Sequence, residues 1–136
     1  MFIKDLLLIS AGGILGTCSR YLVFIYTDSF GEKIFPWIKI FPLGTLLVNS
    51  FGCLAAGFLW AMFSSLGFIK SYRLFCFVGF LGAFTTFSAY SLDTVSLFFE
   101  GKFKLGILNI LLNNILSLVF VILGFWTART LFFKIN

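Results

Sequence analysis

Four long stretches of mostly apolar residues divide this sequence and limit the folds that it can adopt. They cover residues 6–26, 43–63, 72–99 and 103–129. Each stretch is long enough to cross a lipid bilayer, which takes about 20 residues in a helix. In lipid, backbone N–H and C=O groups must be bonded within their own segment, and the two-residue alternation of membrane β-strands is absent. We therefore predict an all-α membrane protein with four transmembrane helices.

The composition supports a chain embedded in lipid and excludes several classes of function. Of the 136 residues, 60% are hydrophobic and 11% are charged, whereas a soluble domain carries about 25% charged residues. The ten basic residues are scattered, which argues against nucleic-acid binding. There is no histidine, and no lysine at membrane depth, that could activate an enzyme nucleophile. We expect a single transmembrane domain over residues 1–136 that is not an enzyme.

The connections between the spans indicate topology and orientation. Residues 28–39 form the only long connection, and the links at residues 64–71 and 100–102 are short, which favours a compact bundle of antiparallel neighbours. The two membrane sides carry nearly equal positive charge: Lys4, Lys70, Arg73, Arg129 and Lys134 on one, and Lys33, Lys39, Lys102 and Lys104 on the other. Such a ratio barely specifies an orientation. We therefore predict that the chain inserts into the membrane in both orientations and forms an antiparallel, dual-topology dimer.

Residues 79–91 (GFLGAFTTFSAYS) interrupt the third apolar run with small and hydroxyl side chains. Gly79 and Gly82 weaken a helix, and threonine and serine hydroxyls can bond the backbone groups that a break would free. We predict a broken third helix, whose exposed carbonyls could coordinate a small cation. Beyond the break, Phe87 and Tyr90 are three residues apart and share a helix face, although aromatic pairs at this spacing commonly serve packing alone.

Polar side chains and close-packing glycines occur in the first and second spans. Gly12 and Gly16 form a pair of small residues that allows another helix to approach closely. Arg20 lies about one turn from the end of the first span, where it could place a positive charge at the mouth of an anion path or simply reach the interface. Thr45 and Asn49 share a face of the second helix, where the amide could donate to a solute or bond helices together.

The fourth span carries a polar stripe. Asn109, Asn113 and Ser117 recur every four residues along one helix face, whereas Asn114 lies off that face. Such a stripe indicates a path for a polar solute, with bonding between helices as the alternative. Asp93 is the only acidic residue well inside a span. A proton-coupled small multidrug transporter would need a carboxylate in its first span, so that alternative is disfavoured.

Three motifs, GGILGTCSRY, GTLLVNSFG and GFLGAFTTFSAYS in this order, resemble the CrcB/Fluc family of small fluoride channels. The resemblance covers the first three spans by motif and the fourth by its polar stripe. It implies four-helix subunits in an antiparallel dimer with two fluoride pores and a structural sodium ion at the centre. It also implies passive export of fluoride across a bacterial plasma membrane, which lowers fluoride toxicity. The sequence contains no P-loop or pair of proton-carrying carboxylates that would indicate an energy source.

The resemblance assigns roles to individual residues. The backbone carbonyls of Gly82 and Thr85 would bind the sodium ion. Phe87 would face fluoride with its ring edge, and Arg20 would lie in the vestibule. The other pore residues would be Asn49, Asn109, Asn113 and Ser117, with Thr45 nearby. By its chemistry, the Ser88 hydroxyl is a further candidate donor in the pore. Amide and hydroxyl donors of this kind would replace part of the water that fluoride loses.

Two positions depart from the family pattern. Tyr90 stands where a second phenylalanine is usual, and Asp93 stands where a glutamate is common. The tyrosine keeps an electropositive ring edge but adds a hydroxyl group to the predicted pore. For this reason, a heterodimer with a related subunit, or a subunit that does not conduct alone, is the alternative to a homodimer.

Overall fold

The described chain is entirely helical apart from short links. The computed structural model describes residues 2–34, 40–67 and 70–132. Its elements are α1 (Phe2–Ile34), α2 (Leu43–Leu66), α3 (Lys70–Arg73), a π-helical segment (Leu74–Leu81), α4 (Gly82–Phe84), α5 (Phe87–Phe99) and α6 (Phe103–Phe132). Four stretches are long and apolar enough to cross a membrane: Phe2–Thr27, Leu43–Ser65, Lys70–Phe99 and Phe103–Phe132. The prediction of four long apolar helices is confirmed.

The first helix continues beyond its apolar run. We expected the first connection to begin at residue 28, but α1 extends to Ile34. The sequence that follows favours an end to the helix, because Phe35 precedes Pro36 and the residue before a proline is disfavoured in the α conformation. The rest of this connection, with Lys39, and the C-terminal Lys134 lie outside the described residues.

Polar and apolar side chains are distributed as in a membrane protein. Asn109 is 0% exposed and Asn113 is 4% exposed, whereas Phe2 and Phe99 are 74% and 88% exposed. Lipid accepts apolar side chains on the outside, while polar groups at membrane depth are stable only where other protein groups bond them. Asn109 and Asn113 are therefore placed inside the bundle, where protein groups can bond them.

The third span changes its backbone geometry along its length. The N–H of Gly82 donates to Phe77 O, five residues back, at the end of the wide π-helical segment. Thr85 (φ −79°, ψ 155°) and Thr86 (φ −149°, ψ 114°) then have extended backbone before α5 starts at Phe87. A two-residue extended segment, residues 85–86, thus separates α4 from α5.

The third span packs in parallel against α1 through glycines. A Cβ atom at Gly12 would meet Phe75 O, and one at Gly16 would meet Phe80 O. A Cβ atom at Gly79 would lie 2.6 Å from a backbone oxygen of α1. The predicted close approach at Gly12 and Gly16 is confirmed, and Gly79 contributes to the same contact from the opposite helix.

The second helix packs in parallel against α6. At the Gly57 end, the two backbones are in contact, because a Cβ atom at Gly57 would meet Val121 O and one at Gly124 would meet Leu54 O. Glycine contacts of this kind allow dispersion forces to hold helices together in lipid, where no hydrophobic force acts between them. The other half of the same helix pair is held differently, and it contains the candidate site.

Candidate functional site

Asn49 on α2 pairs with the extended segment through two reciprocal hydrogen bonds. The Thr86 N–H donates to Asn49 Oδ1 at 2.9 Å, and Asn49 Nδ2 donates to Thr86 O at 3.2 Å. A side-chain amide has one face with the same donor and acceptor as a peptide, so Asn49 bonds Thr86 as a neighbouring β-strand would. The backbone N–H and C=O of Thr86 therefore both have partners inside the bundle.

The extended segment leaves two carbonyls without their regular helical donors. In a continuous helix each N–H bonds to the carbonyl four residues back, so Thr86 N–H would bond to Gly82 O. By the same rule, Ala89 N–H would bond to Thr85 O. Instead, Thr86 N–H is bonded to Asn49, and Ala89 N–H donates to the N-cap oxygen, Thr86 Oγ1, at 3.1 Å. The Gly82 and Thr85 oxygens thus lack these helical bonds.

Three asparagines extend the contact into one chain of hydrogen bonds, which we call the asparagine relay (Asn49, Asn113 and Asn109). Asn49 Nδ2 donates to Asn113 Oδ1 at 3.1 Å, and Asn113 Nδ2 donates to Asn109 Oδ1 at 2.8 Å. Asn109 Nδ2 then donates to Thr94 Oγ1 at 2.9 Å, and this hydroxyl donates to Tyr90 O at 2.8 Å. All of these bonds point the same way, so each polarises the next.

The relay uses all the amide hydrogens of its first two members. Each amide nitrogen carries two hydrogens. Those of Asn49 go to Thr86 O and Asn113 Oδ1, and those of Asn113 go to the backbone and side-chain oxygens of Asn109. A solute can therefore take an N–H of Asn49 only by replacing one of these oxygens as the acceptor.

Two further predicted hydroxyl groups lie beside the relay. Thr45, one turn before Asn49 on α2, is buried and donates to Asp93 Oδ2 at 2.7 Å. The Ser88 and Thr86 hydroxyl oxygens are 3.2 Å apart, so one donates to the other. Asp93 thus introduces a carboxylate next to the relay, and Thr45 supplies a hydrogen bond to it at membrane depth.

The two predicted pore aromatics are in contact. The ring centroids of Phe87 and Tyr90 are 5.3 Å apart and their planes are inclined by 62°. Phe87 is 77% exposed on this chain. The Tyr90 hydroxyl accepts a hydrogen bond of 3.2 Å from Asn114 Nδ2 on α6. An aromatic edge carries partial positive charge, so this pair can interact weakly with an anion.

Comparison with known proteins identifies the family. The family model described as "CrcB-like protein, Camphor Resistance (CrcB)" matches residues 7–125, which is most of the chain.

The chain belongs to the CrcB family.

Several relatives of this CrcB-family chain are named fluoride-specific ion channel FluC. One from Legionella pneumophila (strain Paris) is 42% identical over 130 residues, covering 95% of this chain and 92% of the relative. One from Pyrococcus abyssi is 38% identical over 130 residues, covering 95% of this chain and 99% of the relative. One from Clostridium perfringens (strain 13 / Type A) is 40% identical over 128 residues, covering 93% of this chain and 94% of the relative.

These relatives match 93–95% of the chain and carry the name of a channel rather than of an enzyme. The predicted family and the prediction that the chain is not an enzyme are confirmed by this membership. Together with the four helices that can span a bilayer, it also confirms a multi-pass protein of a bacterial membrane.

The structure of this CrcB-family chain brings together most, but not all, of the predicted site residues. Asn49, Asn109 and Asn113 form the relay. Ser117 is half-buried one turn beyond Asn113, and Arg20 is half-buried one turn beyond the glycine contact of α1. Neither of these two side chains takes part in the hydrogen bonds found between described residues of the site.

Two residues that the spacing of polar residues does not select belong to the same network. Thr94 links the relay to the Tyr90 carbonyl, and Asn114 contacts the Tyr90 hydroxyl. A signal for both is present in the sequence. In an antiparallel hairpin, residues about equally far from the tight link at 100–102 face each other, which pairs Thr94 with Asn109 and Tyr90 with Asn114.

Proposed function

We propose that this chain is the subunit of a passive, fluoride-selective channel that exports fluoride from the cytoplasm of a bacterium. The asparagine relay carries this proposal, because it is a continuous row of polar groups inside a bundle whose outer surface is mostly apolar. Family membership and the names of the relatives support fluoride as the ion. Since a cell is negative inside, an anion that crosses passively is driven outwards.

Fluoride passes this site by exchanging acceptors. It is a small anion that accepts strong hydrogen bonds, and bonds to a charged acceptor are about twice as strong as neutral ones. Fluoride can therefore replace Asn113 Oδ1 as the acceptor of the Asn49 N–H, and the neutral oxygen takes the bond back when the ion leaves. The exchange compensates for lost water without holding the ion tightly, which rapid passage requires.

The aromatic pair and its surroundings need a second copy of the chain to complete the path. Phe87, Ser88 and Asn114 are all exposed on this chain although they lie at membrane depth. Polar groups facing lipid are costly. A second subunit covers this face, and the nearly equal positive charge of the two membrane sides favours an antiparallel copy.

We also propose that a structural sodium ion binds beside the extended segment. Small hard cations prefer oxygen ligands. The carbonyls of Gly82 and Thr85 lack their regular helical bonds, and they would hold the ion. A sodium ion bound there would add positive potential close to the anion path and strengthen the dimer.

Purified protein in liposomes loaded with fluoride tests the proposal. We expect fluoride efflux, measured with a fluoride electrode after a potassium ionophore clamps the membrane potential, and little chloride efflux from matched liposomes. Since Tyr90 favours a partner-dependent subunit as the second candidate, the assay is repeated with a related family member reconstituted together with this chain. Absence of fluoride efflux in both preparations would reject the channel function.

A further inference from the structure

The orientation of the Asn114 amide determines the role of the Tyr90 hydroxyl. Asn114 Nδ2 donates to the backbone oxygen of Ile110 at 2.7 Å. A carbonyl can only accept a hydrogen bond, so the nitrogen of the Asn114 amide, and not its oxygen, must face Ile110 O. The second hydrogen of the same nitrogen is directed at the Tyr90 hydroxyl oxygen, 3.2 Å away. Tyr90 is therefore the acceptor in its contact with α6.

A phenol has one hydrogen to donate as well as lone pairs that accept. Because Asn114 occupies an acceptor position of the Tyr90 oxygen, the phenolic hydrogen remains to be donated elsewhere. Within residues 2–34, 40–67 and 70–132, the hydroxyl has no other hydrogen-bond partner. It lies on the half-buried ring that packs edge-to-face on the exposed Phe87.

We propose that Asn114 is a positioning residue for the conducted anion: it holds the Tyr90 oxygen as an acceptor, so that the phenolic O–H donates to fluoride beside Phe87. This inference rests on the proposed channel function and names an additional donor for it. The aromatic edge is a weak donor, whereas an O–H bonded to an anion is a strong one. Donation by Asn114 also polarises the phenol and strengthens its own donation.

The apparent affinity for fluoride separates this role from a purely structural one. A bond that only joins α5 to α6 would, when lost, lower the amount of folded protein and the maximal current together. Loss of a donor to the ion instead raises the fluoride concentration that gives half-maximal current. We expect Tyr90→Phe to raise that concentration about tenfold, the usual size for one hydrogen bond to a charged group.

The decisive experiment is a double-mutant cycle in planar bilayers, with conductance measured as a function of fluoride concentration. Asn114→Leu should raise the half-maximal concentration about threefold, because the hydroxyl is then free to rotate, and it should have no further effect in the Tyr90→Phe background. Asn114→Gln keeps an amide donor and should partly restore affinity relative to Asn114→Leu. Thr130→Val is the matched control on α6, since among the described residues the Thr130 hydroxyl bonds only to Thr127 O of the same helix.

The outcomes are distinguishable from failure of the channel proposal. If the unmodified protein conducts but Tyr90→Phe leaves the half-maximal concentration unchanged, the inference is overturned. Additive effects of the two substitutions would overturn it as well, because Asn114 would then not act through the hydroxyl. A wild-type chain that never conducts, alone or with a partner, rejects the channel function itself and this inference with it.

Discussion

The two halves of the contact between α2 and α6 are built in different ways. In one half, Gly57 and Gly124 bring the two backbones into direct contact. In the other half, Asn49 on α2 donates to Asn113 on α6, and the two helices are joined by side-chain hydrogen bonds. The same pair of helices therefore changes from a glycine contact to an amide contact within about two turns.

The difference separates a closed part of the bundle from a part that a solute can use. Backbones in direct contact leave no room between them, and dispersion is the main force that they gain. Amide side chains keep the helices further apart and present polar atoms that can exchange partners. Substitutions in the two halves should therefore have different consequences, with conduction most sensitive in the amide half and stability most sensitive in the glycine half.

Asn49→Asp should abolish fluoride efflux. The carboxylate can still accept from Thr86 N–H, but it has no hydrogens for Thr86 O or Asn113 Oδ1, and its charge repels an anion. Efflux from liposomes measures the effect, after size-exclusion chromatography has established that the variant assembles like the wild type. Efflux at the wild-type rate would mean that the ion does not pass Asn49.

Gly124→Ala should destabilise the closed half by about 3 kcal/mol, because the added methyl group would overlap the backbone oxygen of Leu54. Thermal unfolding in detergent measures this loss. Gly13→Ala is the matched control, since a Cβ atom at Gly13 meets nothing within 4 Å. The control should be slightly stabilising, by about 0.5 kcal/mol, from helix propensity alone. Equal effects of the two substitutions would contradict the close contact.

Asn113→Leu should destabilise the protein by about 2 kcal/mol, because one N–H of Asn49 and Oδ1 of Asn109 lose their partners inside the bundle. Asn114→Leu makes the same change at the next residue, where the lost bonds are those to Ile110 O of the same helix and to the Tyr90 hydroxyl, and it should cost less than about 0.5 kcal/mol. Chemical unfolding of both variants under identical detergent conditions provides the comparison. If Asn113→Leu lowers the free energy of unfolding by less than Asn114→Leu does, the relay does not stabilise the fold.

Thr86→Val should cost about 1 kcal/mol, since it removes the N-cap oxygen that accepts from Ala89 N–H. Thr127→Val removes a hydroxyl from the inside of a helix. In the part of the chain that the structure describes, this hydroxyl bonds only to Gly124 O of α6, so the free energy of unfolding should change by less than about 0.5 kcal/mol. Unfolding midpoints measure both. If the two values agree, the hydroxyl of Thr86 does not cap α5.

Much of the site can be predicted from the sequence, because periodicity along one helix indicates which residues share a face. The spacing of Asn109 and Asn113 predicts their common face, and Asn49 stands out in a helix that contains few other polar residues. The same reasoning sets Asn114 aside, since it lies off the stripe, although it contacts Tyr90. Spacing along one helix cannot indicate the partner on the next helix unless the register of the pair is also considered.

The order of residues is enough to establish that this chain crosses a membrane as four helices and that Gly12 and Gly16 admit a neighbouring helix. These properties depend on local composition, which lipid and backbone bonding convert directly into structure. The packed structure was needed to establish that α1 continues to Ile34, that the amide hydrogens of Asn49 are engaged, and that Tyr90 accepts from Asn114. Each hydrogen bond between helices depends on the distance and direction between their atoms, and these are set by packing rather than by the pattern along one helix.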